Sequence, residues 1–393
     1  MEKNKSIKIF YCSPSILPSR TANSIHVVRM CEAFSILKCD VFLISARFPP
    51  ISRDIEKKIE KYYGVCLDRV ALITYFPWIN KGINLQLGIF GFINYFKLLL
   101  RGCSPDIIIS RNLYAAFFFR IFTKKNIYFE THQLELGWRK ILQKTIITGC
   151  NVKTIVISCA LEKLLKEHLC IKSFNSVVLH DAAPSGMKRL TFEEKKQFQA
   201  KLLGDSDLQK YKLICGYFGH LYKGRGIEII LQLAEKFYDS LFFIFGGNDE
   251  HINEIKKNSE LNNLMVMGYV TPNNVAKLMS SMDVLLMPYQ RNVSIGDKRS
   301  DTSRWMSPIK MFEYMAAGVP IIASDLPVLK EILKHQKNCL LAKSDDIVEW
   351  CACLNRIKND TKLAENIAQK AYQEYVLKYN WNIRAKKIIS KQY

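Results

Sequence analysis

Short apolar runs alternate with amphipathic helical stretches along nearly the whole chain, and this rhythm restricts the possible folds more than any single residue. In the first half the strand-like runs are Ile7–Cys12, Val41–Ser45, Val70–Tyr75, Ile107–Ser110, Asn126–Glu130, Thr154–Ser158 and Ser176–Leu179. Helical patterns fall between them, notably Ile25–Leu37 and Cys159–Glu167. The rhythm restarts with Leu213–Phe218, Leu241–Gly246, Leu264–Met267, Val284–Pro288 and Ile321–Ala323. Strands that alternate with helices imply an α/β protein with parallel, doubly wound sheets. Between the halves, Leu190–Lys210 is polar and helical, and Pro184 and Gly186 break the pattern just before it. The domains are therefore expected at 1–188 and 189–375, with a helix over about 376–393 packing back on the first. Trp381, in that last helix, reads as a packing anchor. Ligands of such sheets bind beyond the carboxyl ends of the strands.

A chain of 393 residues, 49% hydrophobic and 24% charged, is long enough for two cores. It contains no run of 18 apolar residues, so no spanning helix is expected. The start, MEKNKSIKIF, lacks the apolar core of a secretory signal, and the twelve cysteines show no CxxC spacing. Reduced thiols and a cytoplasmic location are the expectation. The net charge of +21 is uneven: residues 1–190 hold 28 basic and 13 acidic residues. An anionic partner of that half is implied, whether a membrane surface, a lipid-linked phosphate or nucleic acid, with general solubility as the alternative.

The most specific stretch is Ser307-Pro-Ile-Lys310-Met-Phe-Glu313-Tyr-Met-Ala-Ala-Gly318-Val-Pro320. It reads as a helix with Ser307 as N-cap, Pro308 at the first helical position and Gly318 as a left-handed C-terminal stop. Lys310 and Glu313 share a face near the helix N-terminus, where free N–H groups suit an anion. An exposed helix pair is the other reading of these two charges. The second half opens with Gly216-Tyr-Phe-Gly219-His220-Leu-Tyr-Lys223-Gly224-Arg225-Gly226. A strand followed by a glycine-rich turn lets backbone N–H groups approach a phosphate, here with Lys223 and Arg225 supplying charge.

Together these segments resemble the retaining nucleotide-sugar enzymes of glycosyltransferase family 4 (glycosyl transferases group 1). The likeness extends over Phe245-Gly-Gly-Asn-Asp249, Met267-Gly268-Tyr-Val270 and Met282-Asp283-Val-Leu-Leu-Met-Pro288. It implies the α/β GT-B fold, two Rossmann-like domains facing each other across a cleft, with the acceptor on the first and the donor on the second. By this resemblance Glu313 accepts hydrogen bonds from the donor's ribose diol, and Arg225 lies beside its diphosphate. Lys223, the backbone at Gly219, Lys310 and Ser307 belong to the same donor site. His220 stands where many members carry an arginine. Many members also place a glutamate eight residues before the Glu313 position, where this chain has Trp305, with Asp301 as a nearby acidic substitute.

In the first half, Ser13-Pro-Ser-Ile-Leu-Pro18-Ser-Arg20-Thr21-Ala22-Asn23-Ser24-Ile-His26 leads from the first strand into a helix. Family members often have a glycine pair there; Asn23 is the corresponding donor-phosphate candidate, or else Asn23 or Ser24 is an ordinary N-cap. His132 follows an apolar strand in Tyr128-Phe-Glu130-Thr131-His132-Gln133, matching a histidine that related enzymes present toward the reacting sugar. Glu130 and Arg111 are further candidates at strand ends.

Residues 78–102 mix aromatics, leucines and sparse lysines, either as a face for an anionic bilayer or as a buried helix. No metal motif stands out, since Asp345-Asp346 reads as a surface turn.

The resemblance thus implies a UDP- or GDP-linked sugar donor, no cofactor or metal, and closure of the two domains to exclude water. The acceptor would be a glycan or a polyprenyl-diphosphate-linked sugar of bacterial surface polysaccharide synthesis. The enzyme would be cytoplasmic, at most peripheral on the inner face of the membrane, and would not bind nucleic acid. The rivals are a non-hydrolysing sugar-nucleotide epimerase of the same fold and a non-catalytic basic protein binding nucleic acid or membrane.

Overall fold

The computed structural model describes residues 6–47, 54–77, 82–203, 210–295 and 297–390. Two compact units emerge: residues 1–180 with 381–393, and residues 181–380. The first division falls at 180 rather than at the expected 188, because residues 181–188 bond within the second unit. There Asp181 N–H donates to Ser307 Oγ, Ala183 N–H donates to the Tyr379 carbonyl, and Met187 accepts from Tyr372 Oη.

The first unit begins with β1 (Lys8–Ile16), α1 (Ala22–Ile36), β2 (Asp40–Ala46), α2 (Ile55–Tyr63), β3 (Val70–Tyr75) and α3 (Ile83–Leu100). It continues with β4 (Ile107–Ser110), α4 (Leu113–Phe122), β5 (Ile127–Thr131), α5 (Trp138–Ile147), β6 (Val152–Val156), α6 (Cys159–Leu169) and β7 (Ser176–Val178). The sheet order is β3-β2-β1-β4-β5-β6-β7 and all pairs are parallel. Both faces carry helices, so the central strands are apolar without alternation; every residue of β4 and β5 is buried. The strand order reverses between β1 and β4, which makes the loops after those strands the crevice of this unit.

The second unit runs α7 (Phe192–Leu203), β8 (Leu213–Phe218), α8 (Ile227–Lys236), β9 (Ser240–Phe245), α9 (Asp249–Asn258), β10 (Leu264–Gly268), α10 (Pro272–Ser280) and β11 (Val284–Met287). A short hairpin, β12 (Ser294–Ile295) with β13 (Asp297–Asp301), precedes α11 (Ile309–Ala317), β14 (Ile321–Ser324) and β15 (Leu340–Ala342). It closes with α12 (Ile347–Asn359) and α13 (Thr361–Lys378). The parallel order β10-β9-β8-β11-β14-β15 reverses between β8 and β11. Trp350 of α12 is fully buried in the core beside Leu233, Phe242 and Leu340, with its indole N–H donated to the Lys343 carbonyl. The last helix, α14 (Trp381–Ile389), packs on α1 as part of the first unit, and Trp381 is its buried anchor. Residues 391–393 of the expected terminal helix lie outside the described residues.

Several expectations change. The N-cap of α1 is Thr21, whose hydroxyl accepts from Ser24 N–H, not Asn23 or Ser24. Pro308 occupies the N-cap position of α11, because the Ser307 hydroxyl is taken by Asp181 N–H. Asp346 is the N-cap of α12, accepting from Val348 and Glu349 N–H groups. Among the described residues one helix, Ile83–Leu100, is long and apolar enough to cross a membrane. Asn84, Gln86, Asn94 and Lys97 interrupt its apolar run, which is why a search for continuous apolar residues passes over it.

The loops at the β8/β11 switch point are pressed together on glycine. Gly226 has φ +76°, and a Cβ there would lie 1.8 Å from the Pro288 carbonyl oxygen. Gly226→Ala is expected to cost at least about 2 kcal/mol, from left-handed backbone plus a backbone clash. The measurement is the urea midpoint; an unchanged midpoint would mean that the loops separate freely.

Candidate functional site

In the second unit the turn after β8 is closed by its own backbone. Gly219 N–H donates to the Phe245 carbonyl at 2.9 Å, so that amide braces the turn and is not offered to a ligand. Tyr217 Oη donates to the His220 carbonyl at 2.7 Å, and Gln290 N–H donates to the Gly224 carbonyl at 2.9 Å, tying the turn to the loop after β11. Arg225 lies with its guanidinium 4.9 Å from the centre of the Tyr289 ring, which fixes its direction. Lys223 is exposed at the tip of the turn. His220 stacks on Tyr222 at 4.9 Å. Its pKa is pushed below the ordinary 6.5 by burial and then by the charges of Arg225, Lys310 and His251. The turn after β8, the first turn of α9 and the first turn of α11 therefore converge on one cationic region.

Helix α11 places Lys310 and Glu313 in that region as a pair, Nζ to Oε2 at 2.9 Å. Their side chains are only 27% and 14% exposed, so this is no solvated surface pair. No side chain caps the start of α11. Sequence reasoning missed the residue that aims this helix. Tyr314, fully buried, accepts from Phe218 N–H at 2.9 Å and donates to the Leu286 carbonyl at 3.3 Å, pinning α11 to the ends of β8 and β11. Its place beside Glu313 in a helix was the only available signal. Ser307 is a buried brace rather than a cap. Asp301 is also occupied: its Oδ1 accepts from Val293 and Ser303 N–H groups, shaping the loop instead of pointing to a sugar. Burial raises its pKa, but those bonds to Ser303 and Val293 and the charge of Arg304 outweigh this, leaving it below the ordinary value.

In the first unit His132 stands just past β5, with its Nε2 2.8 Å from Glu130 Oε1. The same oxygen lies 2.9 Å from His26 Nε2 and accepts from Arg384 Nη2 at 3.0 Å. Glu130, His26 and Arg384 are buried, whereas the His132 side chain is 27% exposed, so His132 is the member that reaches solvent. Burial pushes the Glu130 carboxyl up, but Arg384, His26, Arg111 and the His132 hydrogen bond prevail and hold it well below the ordinary range. Arg384 also donates to the carbonyls of His180 and Leu179. His26, Glu130 and His132 are of metal-ligating type, with ligand atoms within 4.8 Å of one another. The protein itself already supplies a cation there through Arg384. Asn23 donates from its amide to Ser15 Oγ at 2.8 Å, bracing the loop after β1. Arg111 follows β4, with its N–H bonded to the Cys12 carbonyl. Arg384 and His26 were not recognised from the sequence. The signal for Arg384 was its place in a buried helical stripe with Trp381, Ala385 and Ile388.

Residues 199–374 match the family model described as glycosyl transferases group 1. The chain is 26% identical over 257 residues to an uncharacterised glycosyltransferase of Methanocaldococcus jannaschii, covering 62% of this chain and 59% of that one. It is also 26% identical to phosphatidyl-myo-inositol mannosyltransferase of Mycobacterium leprae, over 48% of each chain. The chain thus spans roughly half the length of these curated relatives. Among solved structures it resembles Anabaena HepE in complex with UDP and glucose, with TM-score 0.70, 13% identity and 99% of each chain covered. It likewise resembles the sucrose-phosphate synthase of Thermosynechococcus elongatus, with TM-score 0.73, 15% identity, and 99% and 98% of the two chains covered. The fold is GT-B, α/β with two Rossmann-like domains.

Arg384→Met would leave a buried carboxylate short of its strongest partner, and is expected to destabilise the first unit by about 3–5 kcal/mol. Thermal or urea unfolding measures this, and the double variant with Glu130→Gln should recover part of the loss. Because the Glu130 pKa is depressed, its contribution is whole above the ordinary value of 4.5 and is lost as pH falls below it. An acid-unfolding curve that Glu130→Gln leaves unchanged would contradict the role of this carboxylate.

Proposed function

We propose that the protein is a retaining glycosyltransferase of family 4, moving a sugar from a nucleoside diphosphate sugar to a hydroxyl of a glycan or lipid-linked acceptor. The observation that carries this reading is the grouping of His220, Arg225 and Lys310 beside the half-buried Glu313 at the β8/β11 switch point. Cations suit a diphosphate, while an ionised carboxylate, which only accepts, suits a ribose diol that offers two donors. The match of residues 199–374 supports the same assignment. The UDP in complexes of a structural relative makes a UDP- or GDP-linked donor the natural probe.

In the transfer, the bond from the anomeric carbon to the diphosphate oxygen breaks as the bond to the acceptor oxygen forms on the same face. The acceptor's proton passes to the departing diphosphate. Negative charge grows on the leaving group, and Arg225, with Lys310 and Lys223, is placed to stabilise it. Glu313 orients the nucleoside, and Lys310 holds that carboxylate in place. His132, oriented by Glu130, and the loop after β1 with Asn23 are the first unit's own candidates for binding a polar substrate group. Transfer to a surface-polysaccharide acceptor is the pathway this reading places it in.

Glu313→Ala is expected to weaken nucleotide-sugar binding by roughly 10- to 100-fold, the worth of a charge-assisted hydrogen bond. Arg225→Ala should lower turnover more than it weakens binding, with the thermal midpoint of the free protein nearly unchanged. A thermal-shift screen of UDP- and GDP-sugars followed by product assay measures both. Wild-type binding and turnover in both variants would remove this region from the site, and sugar-nucleotide turnover without acceptor to an epimer would favour the epimerase. A diphosphate bound beside His220 would raise its pKa from the depressed value of the free protein, so affinity should increase as pH falls through the bound-state pKa and level off below the free-state one, with proton uptake measurable by calorimetry in two buffers. A pH-independent affinity would separate His220 from the ligand.

A further inference from the structure

Helix α3 is packed with its less apolar face inward. The buried face consists of Leu87, Gly88, Gly91 and Tyr95. Glycine is needed there, since a Cβ on Gly91 would lie 2.7 Å from Cys12 Sγ and one on Gly88 would lie 2.7 Å from Tyr114 Cβ. The outward face carries Leu85, Ile89, Ile93, Phe96 and Leu100, which are 40%, 43%, 47%, 39% and 89% exposed. In an ordinary surface helix this arrangement is reversed.

The apolar surface continues across neighbouring helices. Phe92 of α3 meets Phe122 of α4 at 5.6 Å, and Ile121 and Phe122 are both exposed. Helix α5 packs against α4 and adds exposed Trp138 and Ile141, next to exposed Leu136. Isolated exposed apolar side chains need no explanation, but a continuous surface of this kind marks an interaction site. Its charge indicates the partner. Residues 83–150 contain nine basic and three acidic residues, and two of the acids, Glu130 and Glu135, are buried. Lys97, Arg101, Lys124 and Lys144 are exposed on or beside these helices.

We infer that the α3–α4–α5 face of the first unit docks flat on an anionic lipid bilayer, its apolar side chains entering the boundary between headgroups and acyl chains. Lysines and arginines at the rim complement the lipid charge, whereas a second copy of the same cationic surface would repel it. Helix α3 lies on the bilayer rather than crossing it, although its length permits crossing. Its inner face is packed into the unit, and Asn112 Nδ2 donates to the Asn84 carbonyl while Tyr75 Oη donates to Gln86. The helix is about 27 Å long and would lie along the surface. The proposal stands without the assignment of sugar transfer, because its experiment measures lipid binding alone. Of the stretch 78–102 expected from the sequence as a bilayer face or a buried helix, residues 78–81 lie outside the described residues.

The experiment is co-flotation of the full chain with vesicles of phosphatidylcholine alone, and with vesicles containing phosphatidylglycerol, at low and high salt. Binding is expected only to the anionic vesicles, weakened by salt and accompanied by brominated-lipid quenching of Trp138 fluorescence, with Trp138→Phe as the control. Ile93→Glu with Leu100→Glu, both on the exposed face, should reduce binding at least about tenfold with an unchanged thermal midpoint. Lys97→Glu with Arg101→Glu should reduce it roughly fivefold or more per cation and flatten the salt dependence. Three results would overturn the inference: no flotation with anionic vesicles, flotation unaffected by the apolar substitutions, or a dimer in solution that those substitutions dissociate while lipid has no effect.

Discussion

One carboxylate oxygen organises the first unit. Glu130 Oε1 meets His26 of α1, Arg384 of α14 and His132 beyond β5, so three separated parts of the sequence share a single buried acceptor. A buried charge is costly unless it is paired and hydrogen-bonded, and a guanidinium with five donors can satisfy it while also closing nearby carbonyls. Arg384 does this by reaching the carbonyls of Leu179 and His180, where the chain leaves the first unit. The last helix therefore completes the polar interior of a unit whose strands end two hundred residues earlier. Trp381, edge-on to His26 at 4.8 Å, shields this network from water.

The second unit solves a related problem with backbone and a tyrosine. Its candidate donor site needs three loops at the carboxyl ends of β8, β9 and β11 to lie within touching distance, and side chains would hold them apart. Glycines at 224, 226 and 246 remove that obstacle, each with a carbonyl oxygen about where a Cβ would stand. Tyr314 then fixes the height of α11 by bonding to the ends of two strands. Glu313 and Lys310 inherit their direction from that bond. Arg225 inherits its own from the Tyr289 ring.

Much of this was legible in the sequence. The principal strands coincide with apolar runs because both faces of each sheet are covered, so no alternation obscures them. β15 and the β12–β13 hairpin were missed because three-residue and strongly polar strands carry no such signal. The helix at 309–317 and its glycine stop were readable, yet the cap was misplaced by one residue. Ser307 has the right chemistry for a cap, but Asp181, far away in the chain, claims its hydroxyl. Gly219 likewise looked like a phosphate amide until its N–H was found on β9.

The sequence by itself determined the α/β layout and the positions of Glu313, Arg225 and His132 at element ends, because periodicity, glycine and proline act over a few residues. Only the tertiary structure decided which polar atoms remain available. Hydrogen bonds between distant segments consumed Ser307, Gly219 and Asp301, and the same kind of contact brought Arg384 to Glu130. It also decided which face of α3 is outward, since that depends on glycine-sized contacts with β1 and α4 that no local pattern records.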